Sequence, residues 1–152
     1  MAADSASSSH GGVLAYRLES STVTYQGTGC GGGTIGVTPS LQLQPDCPVV
    51  GGVLDPSIDG LTPGTAGFLL ASLGVSAPLD LGAGCIIRVD IVSLFPVLPV
   101  IADAFGSWSS SIPLPSAPAL AGLVFSLQGA TVGSSGPLGF DLSNGARFTL
   151  TL

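Results

Sequence analysis

The stretch Leu123-Val124-Phe125-Ser126-Leu127-Gln128 decides the fold class, because large apolar side chains return at every second position. Successive side chains of a β-strand point to opposite faces, so this pattern predicts a strand with one buried face. The same alternation recurs at Leu41 and Leu43, over residues 108–112 and over residues 148–152. No apolar pattern with helical spacing persists for three turns. The chain is therefore expected to be all-β.

The distribution of glycine and proline supports a two-sheet arrangement. The 23 glycines and 12 prolines interrupt short apolar runs throughout the 152 residues, without any Gly-X-Y period. Turn residues that separate many short strands are typical of sandwiches and barrels. We therefore expect a two-sheet antiparallel β-sandwich or a jelly-roll-like fold, built from roughly eight to ten strands.

Three segments in the middle of the chain carry more specific predictions. The apolar run Gly67–Gly74 has strand length and is expected in the sandwich interior. Residues 85–92 alternate, with Cys85 and Val89 on one face, and are predicted to form the clearest strand of this region. Residues 46–67 are rich in Pro, Gly and Asp, so they are expected to be mostly loop.

The N-terminal part of the chain divides into two pieces. Residues 1–12 are rich in Ser, Ala and Gly and are predicted to be an arm that is flexible or ordered by assembly. Residues 13–152 are expected to form a single β-sandwich domain. The alternating apolar residues at its start predict a strand available for assembly, comprising Val13, Leu14, Tyr16, Leu18, Val23 and Tyr25.

Charge and hydropathy exclude several classes of partner. Charged residues make up 8% of the chain, the net charge is -6, and the only basic side chains are three arginines. Nucleic-acid binding requires clustered Lys and Arg, so no nucleic-acid partner is expected. The longest apolar stretch, residues 94–102, is broken by two prolines and is too short to span a membrane. No cofactor is predicted.

The titratable residues give no catalytic site. His10, the only histidine, lies in the arm, so no Ser-His-Asp or Cys-His arrangement is expected. Residues Asp80, Asp90, Asp103 and Asp141 are scattered among turns and strands, which favours simple solvation over a carboxylate pair for glycoside hydrolysis. The sequence therefore predicts no enzyme and no catalytic residues.

One acidic segment is a weak candidate for calcium. Asp55, Ser57 and Asp59, followed by Gly60, match the first half of a calcium loop. The glutamate that should complete the loop is replaced by Ala66, so an acidic turn is the favoured interpretation and no metal is predicted.

The three cysteines, Cys30, Cys47 and Cys85, form no C-x-x-C pair and have no histidine partner, which disfavours zinc. One disulfide and one further thiol is the simplest interpretation. The remaining thiol is either buried and inert or pairs between chains.

An ordered series of motifs from Thr24 to Leu152 resembles a secreted β-module found at the C-termini of planctomycete and myxobacterial extracellular proteins. The motifs are Tyr25-Gln26-Gly27-Thr28-Gly29-Cys30, Gly67–Gly74, Leu79–Cys85, Ala104–Trp108, Ile112–Pro115, Pro118–Gly129 and Gly136–Gly145. The resemblance implies a β-sandwich, an extracellular location and no enzymatic activity. It also implies that Cys30 and Cys85 form the disulfide, leaving Cys47 as the unpaired or intermolecular thiol.

These observations together predict a self-assembling structural protein at the bacterial cell surface. The β segment before the sandwich would act as a donor strand that adds to a sheet edge of the next copy, building a filament or lattice. The alternative is a monomeric adhesion or carbohydrate-binding module. A glycan is a possible partner through Ser and Thr, whereas Asn144, the only asparagine, lies in no N-glycosylation motif.

Overall fold

The structure, a computed structural model, describes residues 23–33, 36–75, 77–134, 136 and 138–152. Within these ranges the chain forms twelve β-strands and one 3₁₀ turn, Pro118–Leu120, and no helix there is long and apolar enough to cross a membrane. The strands are β1 (Thr24–Gln26), β2 (Ser40–Gln44), β3 (Val53–Asp59), β4 (Ala66–Leu73), β5 (Leu79–Asp80), β6 (Ile86–Ile87), β7 (Phe95–Ile101), β8 (Trp108–Ser109), β9 (Ile112–Pro113), β10 (Val124–Val132), β11 (Phe140–Leu142) and β12 (Gly145–Thr149).

Two antiparallel sheets pack against each other. Sheet A has the strand order β1-β12-β10-β4-β7, and β11 pairs with the far end of β10. Sheet B has the order β2-β3-β8, and β9 pairs with β3 beyond β8. Strands β5 and β6 form a separate hairpin. The predicted all-β class and the two-sheet antiparallel sandwich are confirmed.

The core lies between the sheets and follows the alternation in the sequence. Leu41 and Leu43 of β2 and Ile58 of β3 face Leu69 of β4 and Leu127 of β10, and all five side chains are buried. Burying each large apolar side chain stabilises the fold by roughly 1.5–3 kcal/mol. The residues between them point outward, which is why the strands β2 and β3 show alternating burial.

The predictions for β2, β10 and the Trp108–Ile112 region are confirmed, the last as two short strands. The strand predicted over residues 148–152 is confirmed only in part, because β12 is Gly145–Thr149 and beyond it Thr151 forms an isolated bridge. The Gly67–Gly74 run does form β4, but only one of its faces is fully interior. Leu69 and Ala71 face the core, whereas Phe68 on the other face is 50% exposed. An apolar run therefore identified the strand correctly and overestimated its burial.

The expectation that residues 46–67 are mostly loop is wrong, because they contain β3. Leu54, Pro56 and Ile58 point inward along this strand. Pro56 has no N–H to donate, and the neighbouring strand is interrupted opposite it, between Ser109 and Ile112. The break in the partner strand lets sheet B accommodate a proline that would otherwise exclude a central strand.

The predicted strand over residues 85–92 is also wrong, since only Ile86–Ile87 is extended and paired. The backbone N–H groups that follow bond to side chains of sheet A. The Arg88 N–H donates to Oε1 of Gln128 at 2.8 Å, and the Asp90 N–H donates to Oγ of Ser72 at 2.9 Å. The segment therefore lies on the outer face of the sheet as a covering loop.

Candidate functional site

A disulfide joins Cys30 to Cys85, as the resemblance implied. Their Cα atoms are 5.1 Å apart and both residues are buried against Leu142 of β11. The Cys30 backbone also exchanges two hydrogen bonds with Leu142, of 2.7 and 2.9 Å. The bond therefore holds residues 27–33, the glycine-rich loop that follows β1, and the β5–β6 hairpin on sheet A. Cys47 is half-buried and carries a free thiol.

Asp141 is the buried acidic residue of this end of the sandwich. Its side chain is 0% exposed, Oδ1 accepts a hydrogen bond from the Gly32 N–H, and Oδ2 accepts one from the Thr62 N–H, both at 2.7 Å. A buried carboxyl group is costly unless it is hydrogen-bonded, so these partners explain its position. The expectation that Asp141 is solvated is wrong, because the residue links the glycine-rich loop, the turn after β3 and β11.

Gln128 is a second buried polar residue, and the sequence analysis did not single it out. Its side chain is 1% exposed and donates to the carbonyl oxygens of Ile86 and Ser143, at 2.9 and 2.8 Å. Together with the bond accepted from Arg88, these contacts satisfy both ends of the amide. Only its place at a strand position flanked by apolar residues hinted at burial.

The other aspartates of the suspected carboxylate set serve separate local turns. Each accepts hydrogen bonds from backbone N–H groups two or four residues further along the chain, the pattern of an Asx turn. The bonds are Gly82 N to Asp80 at 2.8 Å, Val92 N to Asp90 at 3.0 Å, and Phe105 N and Ser107 N to Asp103 at 2.8 and 2.9 Å. This arrangement is structural and gives a paired-carboxylate mechanism no support.

The weak calcium candidate lies in a strand. Asp55, Ser57 and Asp59 occupy the outward face of β3, and a side-chain oxygen of Asp55 accepts a hydrogen bond from Ser111. An extended strand spreads alternate residues about 6.8 Å apart, whereas a calcium loop curls them around one ion. The acidic turn favoured from the sequence is therefore wrong. Within the described ranges no three His, Cys, Asp or Glu residues group as metal ligands.

A shallow cavity of about 350 Å³ opens beside β8, and we name it the polar pocket. Its lining combines two carboxylates, three serine hydroxyls, an aliphatic side chain and an indole. These are Asp59, Asp103, Ser57, Ser107, Ser109, Ile101 and Trp108. Trp108 is half-buried and packs against the core, as predicted, while one part of it borders this pocket.

A second cavity, of about 290 Å³, lies between the two sheets and is named the apolar cleft. Its residues are Leu54, Ala71, Phe95, Val97, Ile112, Pro113, Leu114, Pro115, Leu120, Phe125, Leu127, Phe148 and Leu150, all of them apolar. Leu54, Leu127 and Leu150 are buried and form its depth, whereas Phe95 and Pro113 are exposed and mark its mouth. This composition suits an apolar occupant and offers no reactive group.

Of the predicted assembly strand, Val13, Leu14, Tyr16 and Leu18 lie outside the described residues, as does the arm. Tyr25 belongs to β1, which pairs with β12 of the same chain. Its hydroxyl accepts a hydrogen bond from the Leu43 N–H at 2.9 Å and so ties sheet A to sheet B. Val23 packs against the core. These two residues therefore contribute to their own sandwich.

Fold and sites define a disulfide-stapled antiparallel β-sandwich whose cavities include the polar pocket and the apolar cleft. Searches against protein-family models, curated proteins and solved structures find no match to this chain.

Proposed function

We propose that the protein is an extracellular structural subunit that assembles with copies of itself through the chain that precedes β1. The observation that carries this proposal is an apolar strip on the outer face of sheet A, formed by Phe68, Pro99, Ile101 and Val132. Phe68, Ile101 and Val132 are 50, 66 and 68% exposed. Exposed apolar surface of this kind is typical of protein contact sites.

The strip is continuous because the strand register places its members side by side. Ala66 of β4 pairs with Ile101 of β7 on one side and with Val132 of β10 on the other. Two residues further along β4, Phe68 pairs with Pro99 of β7. Register partners share a face of the sheet, so these side chains lie together. A chain with only 8% charged residues has few charges available to oppose close packing of copies.

The extracellular location draws support from the disulfide, since such bonds persist in oxidising compartments. The resemblance to a secreted bacterial module points to the cell surface. Filament or lattice geometry follows from the contact type: a segment of one copy bound to a different surface of the next is a head-to-tail contact, which propagates.

Electron microscopy and light scattering test the proposal, using the full chain, a chain lacking residues 1–20, and a full chain with Leu14→Asp and Leu18→Asp. We expect polymers from the full chain, and small particles from both variants because their apolar strand is missing or charged. A matched Ser7→Asp chain adds charge without touching that strand and should polymerise normally. Monodisperse monomers in all samples, or polymers unaffected by the variants, would refute arm-linked assembly.

The polar pocket favours a second candidate, a carbohydrate-binding module. Hydroxyl and carboxylate groups beside an indole suit a sugar, which presents hydroxyls and an apolar ring face. Trp108 is the only tryptophan, so its fluorescence reports on this pocket without a signal from a second indole. On this alternative, titration with soluble oligosaccharides changes the emission saturably, and Asp103→Ala weakens the response. A flat titration curve for the glycans tested would count against it.

A further inference from the structure

We propose that the apolar cleft is the acceptor site for assembly, and that residues 13–18 of a neighbouring copy insert the side chains of Tyr16 and Leu18 into it. This inference rests on the proposed function and adds the location and chemistry of the contact.

The cleft is a part of the core where side-chain packing leaves space. Leu127 and Leu150 at its depth are fully buried members of the main core, and the rings of Phe125 and Phe148 stack beside them with centroids 5.7 Å apart. At the mouth, Phe95 is exposed. An inserted apolar side chain would remove this lining from water and gain the contacts that a packed interior provides.

The rims of the cleft determine how an occupant binds. Strand β7, at the edge of sheet A, contains Pro96 and Pro99, and the opposite rim carries Pro113 and Pro115. Proline has no N–H, so neither rim presents a regular row of donors for another strand. Apolar side chains that enter between the sheets must therefore provide most of the binding.

The chain contains a segment that fits this requirement. Leu14, Tyr16 and Leu18 alternate with Ala15, Arg17 and Glu19, so an extended segment presents apolar groups on one face and charges on the other. The charged face would remain in solvent while the apolar face enters the cleft. The segment is therefore amphipathic with the period of a strand.

Geometry favours a neighbour over the same chain as the donor. Thr24 lies in the same cross-strand row as Ser72, next to the row that contains Phe95 at the mouth. β1 and β7 are the two ends of the strand path in sheet A, about 19 Å apart at the usual spacing. The chain from Leu18 to Thr24 spans at most about 22 Å, so Leu18 reaches Phe95 of its own chain only along a nearly straight path, and a path around the sheet is longer. A neighbouring copy is under no such restriction, which favours it as the donor.

Cysteine cross-linking tests the contact in the full chain. Two preparations carry Cys47→Ser, one with Tyr16→Cys and one, labelled with ¹⁵N, with Val97→Cys. After mixing and mild oxidation, we expect dimers of mixed isotope composition to exceed same-type dimers about tenfold, because position 97 lies in the cleft. Mixed dimers at only the statistical proportion would overturn the proposal. A single chain that carries both Tyr16→Cys and Val97→Cys gives a second outcome. If it forms an intramolecular disulfide whose yield does not change on dilution, the proposal is also overturned.

Filling the cleft provides a second, independent test. Ala71 is buried at its wall, so Ala71→Leu should occupy the space that the neighbour's side chains need. Loss of two inserted side chains should raise the concentration required for assembly about a hundredfold. Ala104→Leu, at an exposed turn position outside both the cleft and the apolar strip, is the matched control, and thermal unfolding verifies that both variants fold.

The outcomes separate the two proposals. Normal assembly of the folded Ala71→Leu chain, combined with loss of assembly in the Leu14→Asp, Leu18→Asp chain, would overturn the cleft as acceptor and leave arm-linked assembly standing. Absence of polymers from the unsubstituted chain would overturn both.

Discussion

The disulfide end of the sandwich and the apolar cleft differ in how completely their groups are partnered. Around Cys30 and Cys85, the buried polar groups of Asp141 and Gln128 are matched by backbone donors and acceptors at 2.7–2.9 Å. The apolar cleft contains no polar side chain and retains about 290 Å³ of space. The buried polar groups of the first region are therefore partnered within the chain, although a pocket of about 460 Å³ opens beside the disulfide, whereas the second region has apolar space for groups from outside.

This contrast indicates which region is better suited to accept a group from another molecule. A satisfied polar network loses hydrogen bonds whenever one member moves, so it resists rearrangement. An incompletely filled apolar space gains stability from any side chain of suitable shape. The glycine-rich loop is thus fixed by the disulfide and by its hydrogen bond to Asp141. The cleft is the better candidate for a contact with another chain.

Removal of the disulfide should have the largest effect on stability. Cys30→Ala with Cys85→Ala releases a cross-link between residues 55 apart, which on the loop-entropy account costs about 4 kcal/mol. Urea unfolding of the variant measures this loss. Cys47→Ala, which removes only the free thiol, should change the free energy of unfolding by less than about 1 kcal/mol. Equal effects of the two changes would show that the braced end contributes no special stability.

Loss of the Gln128 amide should have the next largest effect. Gln128→Leu keeps a side chain of similar size but leaves the Arg88 N–H and the carbonyls of Ile86 and Ser143 without this partner, at a cost of about 3 kcal/mol. Gln42→Leu on the exposed face of β2 is the matched control and should stay within about 0.5 kcal/mol. Similar unfolding curves for the two variants would contradict the proposed role of this buried network.

The strand predictions succeeded where alternation reflected one buried and one exposed face. They failed at β3, because Pro56 and two aspartates in a strand are disfavoured by local preference, and the break between β8 and β9 that tolerates the proline is a property of the neighbouring chain segment. They failed again after Ile87, because the alternation there is identical whether backbone N–H groups meet another strand or the side chains of Gln128 and Ser72.

The candidate sites were less accessible to sequence reasoning. The residues that line the apolar cleft belong to β3, β4, β7, β9, β10 and β12 and to the segment around Leu120. No local sequence pattern predicts that these elements leave space between them. Trp108 was assigned to the core from its alternation, and the pocket beside it depends on how β8 meets the turn that Asp103 closes. Their functional roles stay predictions for the experiments above.

The all-β class and most of the strands are predictable from the sequence, because they follow from side-chain period and turn residues, which are local properties. Tertiary structure alone decided that Asp141 and Gln128 are buried braces, that residues 88–94 cover a sheet, and that a cleft lies between the sheets. These features depend on which distant groups meet, and hydrogen-bond partners and packing gaps are properties of pairs of segments.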